Sequence, residues 1–255
     1  MEFPELLRLI DERSTAFSAV VAAAPALDAQ VPTCPGWTLL DLAHHLGDGR
    51  RKWASIVAAG PASAPPPPPV PAEPAPQDHS ALLPWLAAST RQLLDALRSA
   101  GPDRGCWTWW ADSESPQTSG AVARHQLQEV AVHTYDAQLT TGAPQPLPTA
   151  IALDGVDEFL ATCCAGAYHW PHTPATLDYH ATEGRSWRLS LTADAVRLTR
   201  SPAPTPADAA LHATASDLVL TLYGRIPFDS LPLTGDRRHF DLLVAWDPDE
   251  EPLTA

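Results

Sequence analysis

Apolar residues recur at helical spacing through the first half of the chain and at strand spacing in part of the second. Phe3, Leu6, Leu7, Ile10, Phe17 and Val20 fall mostly three or four apart or on the same face, which predicts a helix over residues 3–24. Thr38, with Asp41 three residues on, resembles a capping box. The helix it opens runs to about Ala59, with Leu39, Ala43, Leu46, Trp53 and Val57 on its core face. A third helix, from Ser80 to about Ala100, carries Leu82, Leu83, Leu86, Leu93, Leu94 and Leu97. A fourth spans about Thr118 to Thr141 and is stopped by Gly142-Ala143-Pro144. Four such helices predict a bundle.

The pattern changes after Pro148. One more helix is expected over Thr149–Ala167. Residues 187–191 and 195–199 then alternate with period two, as half-buried strands do, with Asp194 in the turn of a hairpin. Ser216 is expected to cap a short helix, Asp217–Tyr223, and Asp236–Ala245 reads as another. The fold class is therefore α+β: a helical bundle over 1–147 and a smaller α+β domain over 148–255. Residues 61–76 are proline-rich, with five consecutive prolines at Pro65–Pro69, and read as a connector in polyproline II or irregular form. Proteases are expected to cut first there or near Gly142–Pro148.

Composition narrows the partners. Among 255 residues there are 30 acidic and 16 basic side chains, a net charge of −14. That argues against nucleic acid and against anionic membrane surfaces, both of which need clustered Lys and Arg. The N-terminus lacks the basic region of a signal peptide, and the longest mostly apolar stretch, Ala16–Leu27, is short and contains Pro25. A cytoplasmic protein, monomeric or a small homo-oligomer, is expected. Cys34, Cys106, Cys163 and Cys164 form no C-x-x-C pair, so a cysteine zinc site or redox motif is not. Adjacent Cys163 and Cys164 read as small buried residues, with a reactive thiol as the alternative.

The stretch most suggestive of chemistry is Arg124–Asp136. At about 100° per residue, Glu129 and His133 lie one turn apart on one helix face, Asp136 lies within about 60° of both, and His125 is one turn earlier. A carboxylate and an imidazole at this spacing can grip one metal ion, or form a solvated pair. A third ligand would come from a neighbouring helix. His44 and His45 are both candidates, and helix geometry does not decide between them.

Three segments resemble one family in order along the chain. Val31-Pro32-Thr33-Cys34-Pro35-Gly36-Trp37-Thr38, continuing to His45-Leu46-Gly47, resembles the N-terminal signature of the mycothiol-dependent maleylpyruvate isomerase family, within the DinB-like metal-binding four-helix bundles. Glu129-Val130-Ala131-Val132-His133-Thr134-Tyr135-Asp136 is similar to its second signature. Thr214–Arg225 with Gly235-Asp236 resembles its sterol-carrier-like C-terminal domain. The resemblance implies metal ligands at His45, Glu129 and His133, and it is what selects His45 over His44. Gln128 and Thr134 stand where the family usually has His and Arg. Neither position is a ligand there, although the missing charge at Thr134 alters the pocket.

The implied chemistry is a zinc ion, or another divalent metal, with an exchangeable position that receives mycothiol as cosubstrate. Coordination turns a thiol into a thiolate. A thiolate can add to an electron-poor double bond and leave after rotation, a cis–trans isomerisation, or remain attached, an S-transfer. The expected partners are thus a small electrophilic substrate and a thiol. Arg225, which the resemblance implies lies near an interdomain cleft, is the expected cationic clamp for an acidic substrate, or else caps its own helix. Asp136 is expected to orient a ligand imidazole, or to be a helix-surface acid. The Ala- and Pro-rich composition, with fifteen Arg and Lys52 the sole lysine, fits the coding bias of actinobacteria. Two other classes stay open: a thiol-independent metal-dependent lyase, cyclase or hydrolase, and a non-catalytic module that binds an apolar ligand.

Overall fold

The computed structural model describes residues 1–67, 75–203 and 205–246. The middle of the proline-rich connector, 68–74, lies outside the described residues. The chain divides into two compact units, Met1–Trp109 with Gln117–Leu147, and Trp110–Pro116 with Pro148–Ala255.

The first unit is built from four long helices, α1 (Phe3–Ala23), α2 (Leu39–Ala59), α3 (His79–Ala100) and α4 (Ser119–Thr140). Their starts follow from local chemistry. Thr38 and Asp41 form a full capping box on α2, each side chain bonding the other's backbone N–H. Asp78 and Thr118 accept from Ala81 N and Ala121 N at the starts of α3 and α4. Phe17 and Val21 of α1, Leu39, Leu42 and Leu46 of α2, Leu82 and Leu86 of α3, and Val130 and Ala137 of α4 close one core. Unlike its neighbours, α4 is buried on almost every side, and its polar residues Gln126, Gln128, His133, Thr134 and Asp136 are inside the protein.

Gly47 sets how closely α2 and α3 approach. A Cβ placed there would fall within the six-membered ring of Trp85. Arg51 lies over the same indole, 4.2 Å from its centroid, and donates to the Trp85 carbonyl. Gly47→Ala should therefore destabilise the protein, although alanine favours helix. The forced shift of a packed ring costs about 1–3 kcal/mol, against about 1 kcal/mol of helix propensity. Chemical denaturation of the two proteins measures the difference, and equal midpoints would show that Trp85 moves freely.

The second unit begins with α5 (Thr149–Phe159), which widens into a π turn at Leu160–Cys164. The helix ends there, not at Ala167: the N–H of Ala165 bonds the Leu160 carbonyl, and Gly166 instead bridges to Ser113 and Val196. A mixed sheet follows, with β1 (Ala175–Ala181), β2 (Ser186–Leu191), β3 (Val196–Arg200), β4 (Ala209–Ala213) and β5 (Leu233–Gly235) in the order β3-β2-β1-β4-β5. β1 and β4 are parallel; the other pairs are antiparallel. Leu177, Tyr179, Leu189, Leu191 and Leu211 point into the core, while Asp178 and Arg188 pair on the opposite face through two bonds of 2.6 and 2.7 Å. The short helix α6 (Ala215–Leu222) is capped by Thr214 rather than Ser216, because the Thr214 hydroxyl is the one that accepts from Asp217 N. The last helix, α7 (Arg238–Ala245), buries only Phe240.

Candidate metal centre

α2 and α4 bring together one residue of the first and two of the second. His45 Nε2 lies 2.7 Å from Glu129 Oε1, and His133 Nε2 lies 3.4 Å from the same oxygen. The two imidazole rings stand nearly perpendicular, 5.1 Å apart. Ligand atoms of His45, Glu129 and His133 all lie within 4.8 Å of one another. His44 points elsewhere: its Nε2 meets the Pro76 carbonyl at 2.7 Å, and its ring meets the edge of Trp85. His125 stacks edge-on against Trp53 and Trp109.

Asp136 is fully buried behind His133 and accepts from its Nδ1 at 2.8 Å. That bond leaves Nε2 to face Glu129 and His45, the orientation a metal-ligating imidazole needs. Asp136 is in turn held by the Thr33 hydroxyl at 2.6 Å and the Cys34 thiol at 3.6 Å. Both come from the turn before α2, where Gly36 adopts φ +82° and Trp37 N returns to the Cys34 carbonyl. The Trp37 ring lies tilted against that of His45, with centroids 4.9 Å apart, and packs against the bundle core. Cys34, His133 and Asp136 form a second close group of donors. Thr33 and Cys34 belong to the N-terminal signature segment, but their bonds to Asp136 reach across α2 and α3 in sequence and leave no local mark.

The donor set fits a divalent metal. Two imidazole nitrogens and a carboxylate oxygen match the ligands of a three-residue zinc site, and the remaining imidazole nitrogen of His133 has its own acceptor. Exposure is graded across the group: His133 is 8% exposed, whereas the His45 side chain is 40% exposed. One side of the cluster thus reaches solvent, where an exchangeable ligand could enter.

Electrostatics tie the three together. Burial works against a charged Glu129, but hydrogen bonds from His133 and His45, with the charges of His133 and His125, hold it well below the usual carboxylate range. Burial likewise disfavours a charged His133, yet Asp136, Cys34 and Glu129 raise its pKa well above that of a free imidazole. In the metal-free protein these neighbours favour the imidazolium form of His133, so a metal binding at Nε2 would displace a proton. Below the raised pKa, metal affinity should climb with pH by about tenfold per unit, and binding should release about one proton. Titration calorimetry in buffers of different ionisation enthalpy checks this; no proton release at pH 7 would mean that His133 is already neutral in the metal-free protein.

Arg225 stands just past α6 in the second unit, where its Nη1 donates to the Tyr223 carbonyl at 2.6 Å. Among the described residues no helix is long and apolar enough to cross a membrane.

Comparison with known proteins bears on the whole chain. The crystal structure of the mycothiol-dependent maleylpyruvate isomerase is similar over 92% of this chain and 93% of its own, with 16% identity and a TM-score of 0.57. One of its point mutants gives the same coverage and identity with a TM-score of 0.58. The search of curated proteins gives no match. Residues 7–138 match the mycothiol maleylpyruvate isomerase N-terminal domain and residues 150–242 match the MDMPI C-terminal domain. With both domains matched in order, the chain belongs to the mycothiol maleylpyruvate isomerase family.

Proposed function

We propose that the protein is a metal-dependent enzyme that uses mycothiol on a small electrophilic substrate, as a cis–trans isomerase or an S-transferase. The observation that carries this reading is the convergence of His45, Glu129 and His133, with Asp136 behind His133, in a chain of this family. His45, Glu129 and His133 would hold the metal, zinc being the ion that best suits two imidazoles and a carboxylate. Bound there, the ion would supply a positive centre at which a thiol is held as its thiolate at neutral pH.

The chain's own residues do the rest. Asp136 holds the proton on Nδ1 of His133, so that Nε2 keeps its lone pair toward the ligand cluster. Thr33 and Cys34 anchor Asp136 so that it does not turn away. Glu129 Oε1 lies 2.7 and 3.4 Å from the Nε2 atoms of His45 and His133 and fixes the separation of the two imidazoles. Arg225 is our candidate for the cation that receives an acidic substrate. The solvent-reaching side at His45 is where thiol and substrate would enter.

The test is metal analysis of the purified protein followed by turnover assays on electrophilic cis-alkenes, with and without mycothiol. Turnover that requires both metal and mycothiol is expected. Equal turnover without thiol would replace this reading with a thiol-independent metal enzyme. Absence of turnover on a metal-loaded protein with every electrophile would favour a binding role.

A further inference from the structure

Arg50 lies on α2 a little more than one turn beyond His45, and it is 2% exposed. Its Nη2 donates to the Ser14 hydroxyl of α1 at 3.0 Å. Its Nη1 is buried and has no hydrogen-bond partner among the described residues. Among the described residues no carboxylate forms an ion pair with it, although the charge of Glu129 acts on it favourably. A guanidinium enclosed in a helical bundle with a single neutral partner is costly, because the desolvation of a charge is repaid only by an opposite charge nearby. Burial, partly offset by the charge of Glu129, lowers its pKa to about 10, so it stays charged at neutral pH.

The charges around the candidate metal centre show what this cation balances. A divalent ion with Glu129 and Asp136 sums to zero. An anionic ligand added to that set would leave one uncompensated negative charge in a largely buried place. The charge of Arg50 acts on Glu129, and with it counted the set sums to zero when the exchangeable ligand is an anion. We infer that Arg50 is a positioning residue that acts through its fixed charge to make the metal centre prefer an anionic exchangeable ligand over a neutral one. This rests on the metal-site reading above and narrows it: the preferred ligand class is a small soft or hard anion, such as a thiolate, rather than a neutral donor.

The test uses the full chain loaded with cobalt(II), whose visible spectrum reports ligand exchange. Metal content is measured in every sample, and azide and imidazole are titrated separately at constant ionic strength. Arg50→Met and Arg50→Gln remove the charge. Each should weaken azide by at least about tenfold while imidazole changes by less than about threefold. Arg50→Lys keeps the charge, and its azide affinity should stay within about threefold of wild type. Circular dichroism selects the variants that fold. The inference is overturned if a folded neutral variant binds azide as wild type does, or loses both probes equally. It is also overturned if folded Arg50→Lys loses azide as strongly as tenfold, an arm that stands even where neither neutral variant folds. Failure of wild type to bind cobalt at all is a different result: it overturns the metal site itself, and the inference with it.

Discussion

Glu129→Gln should lose thiol-dependent turnover by at least about a hundredfold, even where excess zinc restores full metal content. Zinc with two neutral imidazoles and Glu129 carries one net positive charge, and a bound thiolate neutralises it. The amide removes that carboxylate charge, so the same thiolate would leave the ligand set positive. It also replaces an oxygen that meets both His45 and His133 with a group offering one acceptor and one donor face. The amide NH2 has no lone pair to give a metal, so only the neutral oxygen remains as a weaker donor. Turnover is measured with mycothiol at matched metal content over a range of pH. A variant that matches wild type throughout would show that the Glu129 carboxylate is not needed and remove the main support for thiolate chemistry.

His133→Ala should strip the metal. Wild type is expected to hold about one divalent ion per chain, most favourably zinc. Removing His133 would take one of the three proposed ligands and also leave Asp136 fully buried without the imidazole that it binds. Such a buried carboxylate costs several kcal/mol or takes up a proton. His44→Ala is the control one residue from a ligand. His44 binds the Pro76 carbonyl and Trp85, so its loss should leave metal content unchanged. Elemental analysis after dialysis against a weak chelator separates the two, and equal retention in both variants would sink the ligand assignment.

The helices of the first unit were legible because several signals agree at each of them. Thr38 with Asp41, and Thr118 before the apolar run of α4, are caps whose chemistry is local. The pairing of Glu129 with His133 was legible for the same reason, since one helical turn is fixed by backbone geometry. The choice between His44 and His45 was not, because it depends on how α2 is rotated against its neighbours. That rotation is set by Trp85 lying over Gly47, a contact between helices with no local mark. Arg50 was within reach of the pattern: it lies four residues after Leu46 and seven after Ala43, on the core stripe. It sits, however, in the cationic run Arg50-Arg51-Lys52, a pattern that is usual for a solvated face. In the second unit, Ala209–Ala213 is rich in a helix-favouring residue and becomes strand only through pairing with β1. Leu233–Gly235 is too short to show a period at all.

The segment Trp110–Pro116 is encoded between α3 and α4 yet belongs to the second unit. Glu114 N bonds the Ala165 carbonyl, Ala167 N bonds the Asp112 carbonyl, and Ser113 bridges to Gly166. The two units are therefore interleaved in the gene and not merely joined end to end. A fragment ending at Leu147 would carry this segment without its backbone partners, and a fragment starting at Pro148 would lack it. Swapping halves between relatives at a single junction would split a folding unit, so a recombinant exchange that preserves both needs two crossovers more, one on each side of residues 110–116.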